Sequence, residues 1–360
     1  MKILHVVPTY LPARRYGGPI VAVHGLCRAL VRRGHDVTVF TTNVDGDSVS
    51  AVPLDHDVML DGVRVRYFAS SFPRLYVSGS MRKALASIDT FDLVHNHSVF
   101  LWPTAAAARA AREKRVPYVI SPRGMLVREL IRRKSRLVKS AWIRLIERRN
   151  FAGAATIHFT SERERDDAKE TGIPIPRSFI VPNGIDLVTR PDVPRDANTV
   201  VYLGRINWKK QLDRLIEAMA RDAKLIIAGN DEENLTPKLR ELARGRDVEF
   251  PGPVYGDAKW ELLAQASVVA LPSLSENFGN VIVEAMMMST PVAVSPEVGV
   301  ASDVEAARAG IVTRDFAAAI ASVLRDPGDY GRNGRALVEA KFNWDSVAAR
   351  MEHEYQCSIV

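Results

Sequence analysis

Cysteine is scarce in this chain: Cys27 and Cys357 are the two in 360 residues. Such a pair supports no disulfide framework and fits a reducing compartment. Long apolar runs are missing as well. No stretch approaches the ~20 apolar residues that cross a bilayer. The opening MKILHVV carries one lysine and a run too short for a secretory core, so it reads as a buried first strand. Together these absences imply a cytoplasmic protein. Internal repeats at solenoid spacing and low-complexity tracts are absent too, which excludes repeat arrays and disordered scaffolds.

What is present is an ordinary globular composition, 47% hydrophobic and 25% charged, on a chain longer than one core supports. The net charge of +7 is uneven. Residues 123–149 hold ten Lys or Arg against Glu129 and Glu147, leaving the rest near neutral. Among the ten are Arg123, Arg132, Arg133, Lys134, Arg136 and Lys139. Leu137, Val138, Ala141, Trp142, Leu145 and Ile146 recur between them at helical spacing. A basic helix with an apolar stripe and a Trp fits an anionic membrane surface. The alternative is a helix whose stripe packs on its own sheet. The segment lacks interleaved aromatics and accompanies no binding motif, which argues against nucleic acid.

Strand and helix patterns alternate along both halves: KILHVV, DVTVFTT, GVRVRYF, DLVHNH, VPYVISP and AATIHFTS, then TVVYLGR, AKLIIAG, DVEFPG, SVVALP and TPVAVS. Alternation of this kind implies parallel sheets covered on both faces. Between the halves DLVTRPDVPRDAN is rich in proline and charge and has no period, so it reads as a linker. The expectation is α/β: residues 1–185 and 199–342 as two Rossmann-like domains, 186–198 joining them, and 343–360 as a closing helix.

The stretch PSLSENFGNVIVEAMMM is the most informative. An apolar strand ends at Pro272, a polar loop carries Glu276, and a helical pattern starting near Asn280 carries Glu284. Ligands of open α/β sheets bind at the carboxyl ends of strands, beside helix N-termini. A carboxylate only accepts hydrogen bonds, which suits sugar or ribose hydroxyls but not a phosphate. Cations for a phosphate appear in LGRINWKK, where Arg205 and Lys210 flank the turn after the second domain's first strand. Tyr16-Gly17-Gly18-Pro19 follows the first strand, where glycines admit close backbone approach and Pro19 suits a first helical turn. The spacing is not that of a dinucleotide fingerprint. His95 and His97 end DLVHNH. They lack a visible third metal ligand, and His97 reads as a polar contact to substrate. Asp45-Gly46-Asp47 and Asp55-His56-Asp57 resemble Mg²⁺ ligands but read as solvated loop acids.

In order and over nearly the whole chain, these motifs resemble the family 4 retaining glycosyltransferases of the GT-B fold. GGP follows the first strand and H-x-H sits mid-domain. SPRGML is similar to S-P-[HR]-G-M-L, and VPNGID marks the junction. LGRINWKK is similar to L-G-R-x4-K, ENFGNVIVE to E-x7-E, and FNWDSVAARMEHEY to the closing F-[ST]-W-D helix. Asn343 departs from the pattern at the Ser/Thr position.

The resemblance implies two domains facing across a cleft and a closing helix that returns to the first. It implies that Gly17 and Gly18 approach the donor diphosphate and sugar, and that Arg205 and Lys210 bind the diphosphate. Glu276 would hold sugar hydroxyls, helped by the amides of Phe278, Gly279, Asn280 and Val281. Glu284 would hold the ribose, Val254 would lie near the base, and His97 beside the transferred sugar. The donor would be a UDP- or GDP-sugar, with no metal and no cofactor. The acceptor would be a glycan or lipid-linked molecule of bacterial surface polysaccharide synthesis. Transfer would retain configuration by front-face substitution, the leaving diphosphate taking the acceptor proton. Two other readings stand beside it: another GT-B enzyme such as a nucleotide-sugar epimerase, and a non-catalytic membrane-associated assembly subunit.

Overall fold

The structure is a computed structural model that describes residues 1–13, 17–133 and 136–359, leaving undescribed the side chains at 130, 132, 133, 136 and 137. Chain contacts divide it into two compact units. The first is Met1–Gly184 together with Trp344–Val360, and the second is Ile185–Asn343.

The first unit is built on β1 (Lys2–Thr9), β2 (Asp36–Thr42), β5 (Asp57–Leu60), β6 (Val63–Phe68), β7 (Leu93–His97), β8 (Tyr118–Ser121), β9 (Thr156–Phe159) and β10 (Ser178–Ile180). A two-stranded ribbon, β3 (Val44–Asp45) with β4 (Ser48–Val49), follows β2. The sheet order is β10-β9-β8-β7-β1-β2-β6-β5. All its pairings are parallel except the edge pair β5–β6. The sequence pattern does not announce β5. It is an edge strand with no continuous apolar face, and Asp57 pairs across it with Arg66 at 2.6 Å. The inner strands are buried on both faces, and their buried positions include the polar His5, His95, Asn96 and His97.

The second unit has β11 (Thr199–Leu203), β12 (Lys224–Ala228), β13 (Val248–Gly252), β14 (Val268–Leu271), β15 (Val292–Val294) and β16 (Gly310–Val312). They form one parallel sheet in the order β13-β12-β11-β14-β15-β16. Its core runs from Val200 through the methionines of the helix Asn280–Met287 to Phe342. Residues 186–198 form no regular element, and their backbone anchors on this unit, with Asp196 N–H donating to the Gln265 carbonyl at 2.8 Å.

The helix Trp344–Ile359 belongs to the first unit. It packs on the helix Gly18–Arg32, where a Cβ on Gly25 would meet the Trp344 ring at 2.1 Å. Arg350 donates to the Ile180 carbonyl at 2.9 Å.

The basic segment forms the helices Arg128–Arg133 and Arg136–Trp142, a π-helical turn Ile143–Glu147, and the helix Arg148–Ala152. The expected apolar stripe does not form one buried face. Trp142 and Ile143 pack on the core, and Trp142 Nε1 donates to buried Glu147 at 2.9 Å. Val138 and Leu145 point outward, 67% and 74% exposed.

Candidate functional site

Each sheet reverses its strand order at one place, and the motif residues gather there. In the second unit the reversal lies between β11 and β14. Chains leaving the carboxyl ends of these neighbours diverge to opposite faces and open a crevice, the usual ligand position in such sheets. Arg205 and Lys210 follow β11, and residues 276–284 follow β14.

The turn after β11 is a short 3₁₀ segment, Trp208–Lys210, which buries Lys210. Leu274 N–H donates to the Lys209 carbonyl at 2.8 Å, tying the loop after β14 to this turn. Lys210 Nζ donates to Glu276 Oε2 as a salt bridge. Glu276 is fixed through its backbone: its N–H donates to the Glu297 carbonyl at 3.1 Å, and Gly299 N–H to its own carbonyl at 2.9 Å. Val300 N–H binds the Phe278 carbonyl at 3.0 Å. Gly279 then caps the helix Asn280–Met287 with φ 97. Both its conformation and its surroundings require glycine, because a Cβ there would lie 2.8 Å from Val298 Cγ1. Glu284 stands in this helix and accepts from Lys259 Nζ at 2.9 Å. Val254 lies between β13 and the helix Gly256–Gln265, half-buried against the core. Arg205 is half-exposed and pairs with Glu232 at 3.0 Å.

Two cations, two carboxylates and a helix N-terminus thus surround one strand-order reversal. Arg205 and Lys210 offer charge and N–H donors for a phosphate, and Glu276 and Glu284 offer acceptors for hydroxyls. Lys259, Glu232 and the Glu297–Val300 brace carry no motif signal. They reach the site only through the fold.

In the first unit the reversal lies between β1 and β7. Gly17, with φ 57, caps the helix Gly18–Arg32 after β1, and its carbonyl accepts from Ile20 N–H at 3.1 Å. Tyr16 lies outside the described residues. His97 ends β7 and is buried. Arg123 donates to His97 Nδ1 through Nε at 3.3 Å and Nη2 at 3.1 Å, and to Asn183 Oδ1 at 2.9 Å. The only His, Cys, Asp and Glu cluster of metal-ligand spacing among the described residues is His5, His95 and His97. His5 is the third imidazole that the sequence did not reveal. It arrives through register, since β1 places it beside His95 of β7.

These rings are wired by hydrogen bonds, and the wiring fixes the tautomers. Arg123 only donates, so His97 Nδ1 accepts and its Nε2 holds the proton. That Nε2–H donates to His5 Nδ1 at 2.9 Å. A second wire is fixed from its far end. The Val181 carbonyl only accepts, so His158 Nε2–H donates to it at 2.8 Å. His158 Nδ1 then accepts from Ser121 Oγ–H at 2.6 Å, and Ser121 accepts from His95 Nε2–H at 2.6 Å. His95 Nδ1 is left to accept from the Tyr355 hydroxyl at 2.6 Å. Burial and the Arg123 charge lower His5 and His158 to about 3. His95 and His97 fall well below the usual range, first through burial and then through their neighbours. The cluster is neutral at pH 7. With both nitrogens of His95 and His97 engaged and a guanidinium against His97, it is a hydrogen-bonded core and a poor cation cage.

Of the basic segment's candidates, Lys139 stacks 5.6 Å from the Phe100 ring centroid. The side chains of Arg132, Arg133 and Arg136 and the whole of Lys134 lie outside the described residues.

Residues 17–184 match the family model of the glycosyl transferase 4-like domain, and residues 189–341 that of the glycosyl transferases group 1. An uncharacterized glycosyltransferase of Methanocaldococcus jannaschii is 27% identical over 100% of this chain and 99% of its own. A D-inositol 3-phosphate glycosyltransferase of Xylanimonas cellulosilytica is 28% identical over 94% of this chain and 91% of its own. Among solved structures, HepE of Anabaena with UDP and glucose superposes at TM-score 0.75 with 19% identity, covering 99% of both chains. Sucrose-phosphate synthase of Thermosynechococcus elongatus superposes at 0.76 with 21% identity, covering 99% of this chain and 98% of its own.

Proposed function

Because this chain belongs to the group 1 glycosyltransferases, with the GT-B fold, we propose that it moves a hexose from a UDP- or GDP-sugar to a glycan or lipid-linked acceptor, retaining configuration and needing no metal. The observation that carries this reading is the pairing of Lys210 with Glu276 at the β11–β14 reversal. One cation for a diphosphate and one carboxylate for sugar hydroxyls are adjacent, as the two ends of a sugar diphosphate are. Arg205 and Lys210 hold the diphosphate and stabilise it as it leaves. Glu276 and the amides from Phe278 to Val281 orient the sugar, and Glu284 holds the ribose, with Val254 toward the base. Neutral His97 acts as a polar contact and not as a proton carrier, since burial keeps it unprotonated. In front-face substitution the departing diphosphate oxygen takes the acceptor's proton. The protein supplies orientation and charge, and no carboxylate nucleophile is needed.

A lipid-linked acceptor of surface polysaccharide synthesis is supported by outward Val138 and Leu145 beside exposed Arg144, Arg148 and Arg149. Basic and apolar groups side by side suit the surface of an anionic bilayer. No helix among the described residues is long and apolar enough to cross a membrane.

Thermal shifts against UDP, GDP and their hexose conjugates, with and without Mg²⁺, test the donor assignment. At ~100 Kd a ligand adds about 2.7 kcal/mol. One nucleotide class should stabilise the chain equally with and without Mg²⁺. No shift with either class refutes the reading. Sedimentation with phosphatidylglycerol vesicles tests the surface, and retention of the L145S/V138S variant would refute it.

A further inference from the structure

Lys259 has no counterpart in any sequence motif, yet it lies against one of the two central carboxylates. It stands in the helix Gly256–Gln265, just beyond Val254, and reaches across to the helix Asn280–Met287. Its Nζ donates to Glu284 Oε1 at 2.9 Å and lies 4.0 Å from the centroid of the Trp260 ring. Both side chains of the pair are mostly buried, 22% and 23% exposed.

A carboxylate has two oxygens, each able to accept more than one hydrogen bond. Lys259 engages Oε1, and Oε2 keeps its lone pairs for a ligand. A carboxylate pinned at one oxygen no longer turns freely, so ordering it is complete before a ligand arrives. The Trp260 ring restrains the ammonium from another side through cation–π attraction.

We propose that Lys259 is the positioning residue for the donor's ribose: it sets the Glu284 carboxylate so that Oε2 accepts from the ribose hydroxyls. The proposal rests on reading the β11–β14 reversal as a nucleotide-sugar site. Calorimetric titration with UDP and GDP identifies which nucleotide the wild type binds. The same titration is then run with the 2′,3′-dideoxy form of that nucleotide. Lys259→Met should weaken the full nucleotide about tenfold, the lower end of what a charge-assisted hydrogen bond carries. It should leave the dideoxy form unchanged from wild type, because no hydroxyl remains for Glu284 to meet. Glu284→Gln should behave alike, the double variant should be no weaker than either single one, and Lys259→Arg should recover most of the affinity. Wild-type affinity in Lys259→Met overturns the proposal. Equal weakening of both nucleotide forms also overturns it, placing Lys259 on the phosphates or in folding. A wild type that binds neither UDP nor GDP overturns the donor-site reading itself, and the inference with it.

Discussion

Acidification from pH 7 to pH 5 is expected to unfold the first unit while the second stands. All eight histidines of the chain lie in the first unit, and four of them are the buried rings around Arg123. Burial, reinforced by Arg123, holds His5 and His158 at about 3, whereas an unfolded imidazole titrates near 6.5. The folded value is the lower one, so the neutral rings contribute their full stability above ~6.5 and lose it as pH falls toward 3. With about 1.36 kcal/mol per pKa unit, each ring forfeits roughly 2 kcal/mol between pH 7 and 5, or about 4 for the pair. His95 and His97 shift in the same direction and enlarge the loss. Burial raises Glu147 and Glu164, which oppose it, but they are two groups against four. Against a domain stability of about 5–15 kcal/mol, the loss approaches global unfolding. Urea titrations at a series of pH values, read by peptide-resolved hydrogen exchange, separate the two units. His158→Gln keeps a donor for the Val181 carbonyl but cannot titrate. It should lower the slope of stability on pH by about 1.4 kcal/mol per pH unit. A first unit as acid-stable as the second, or an unchanged slope in His158→Gln, refutes the reasoning.

Other consequences follow from single contacts. Lys210→Met and Glu276→Gln should each lower kcat about 10²–10³-fold, the scale of losing one preorganised charged contact. The double variant should lose far less than the product, because the two residues act as one pair. Near-normal turnover by either single variant would remove them from the chemistry. Gly279→Ala should destabilise the second unit by about 1–3 kcal/mol in urea, from the positive φ and the Val298 contact together. Tyr355→Phe removes the O–H that buried His95 Nδ1 accepts and should cost about 1–3 kcal/mol in the first unit. Nucleotide affinity in that variant should match wild type, and a loss of affinity would show that the network reaches the donor site.

The α/β architecture and most of its strands are determined by local pattern, because strands buried on both faces read as short runs rich in apolar and β-branched residues between helical periods. DVTVFTT is β2 without a residue's difference. The helix carrying Glu284 starts at Asn280, where Gly279 breaks the preceding chain and the apolar period begins. That Arg205 and Lys210 follow β11, and Glu276 and Glu284 follow β14, was legible for a related reason: each pair comes just after an apolar run that reads as a buried strand.

Pattern fails where a partner comes from far along the chain. β5 is an edge strand and has no apolar signature to read. The basic segment is interrupted by a π-helical turn at Ile143–Glu147, which a 3.6-residue period does not express in advance. His5 meets His97, and Tyr355 meets His95, across 92 and 260 residues, through sheet register and through the return of the last helix. Lys259 reaches Glu284 because two helices pack side by side. The sequence by itself determined which residues carry charge, hydroxyl acceptors and backbone freedom, since those are properties of single residues and short spacings. Only the tertiary structure decided which charges are paired, which imidazoles are neutral and which nitrogen bears each proton, because those depend on distance and burial between segments that the chain keeps far apart.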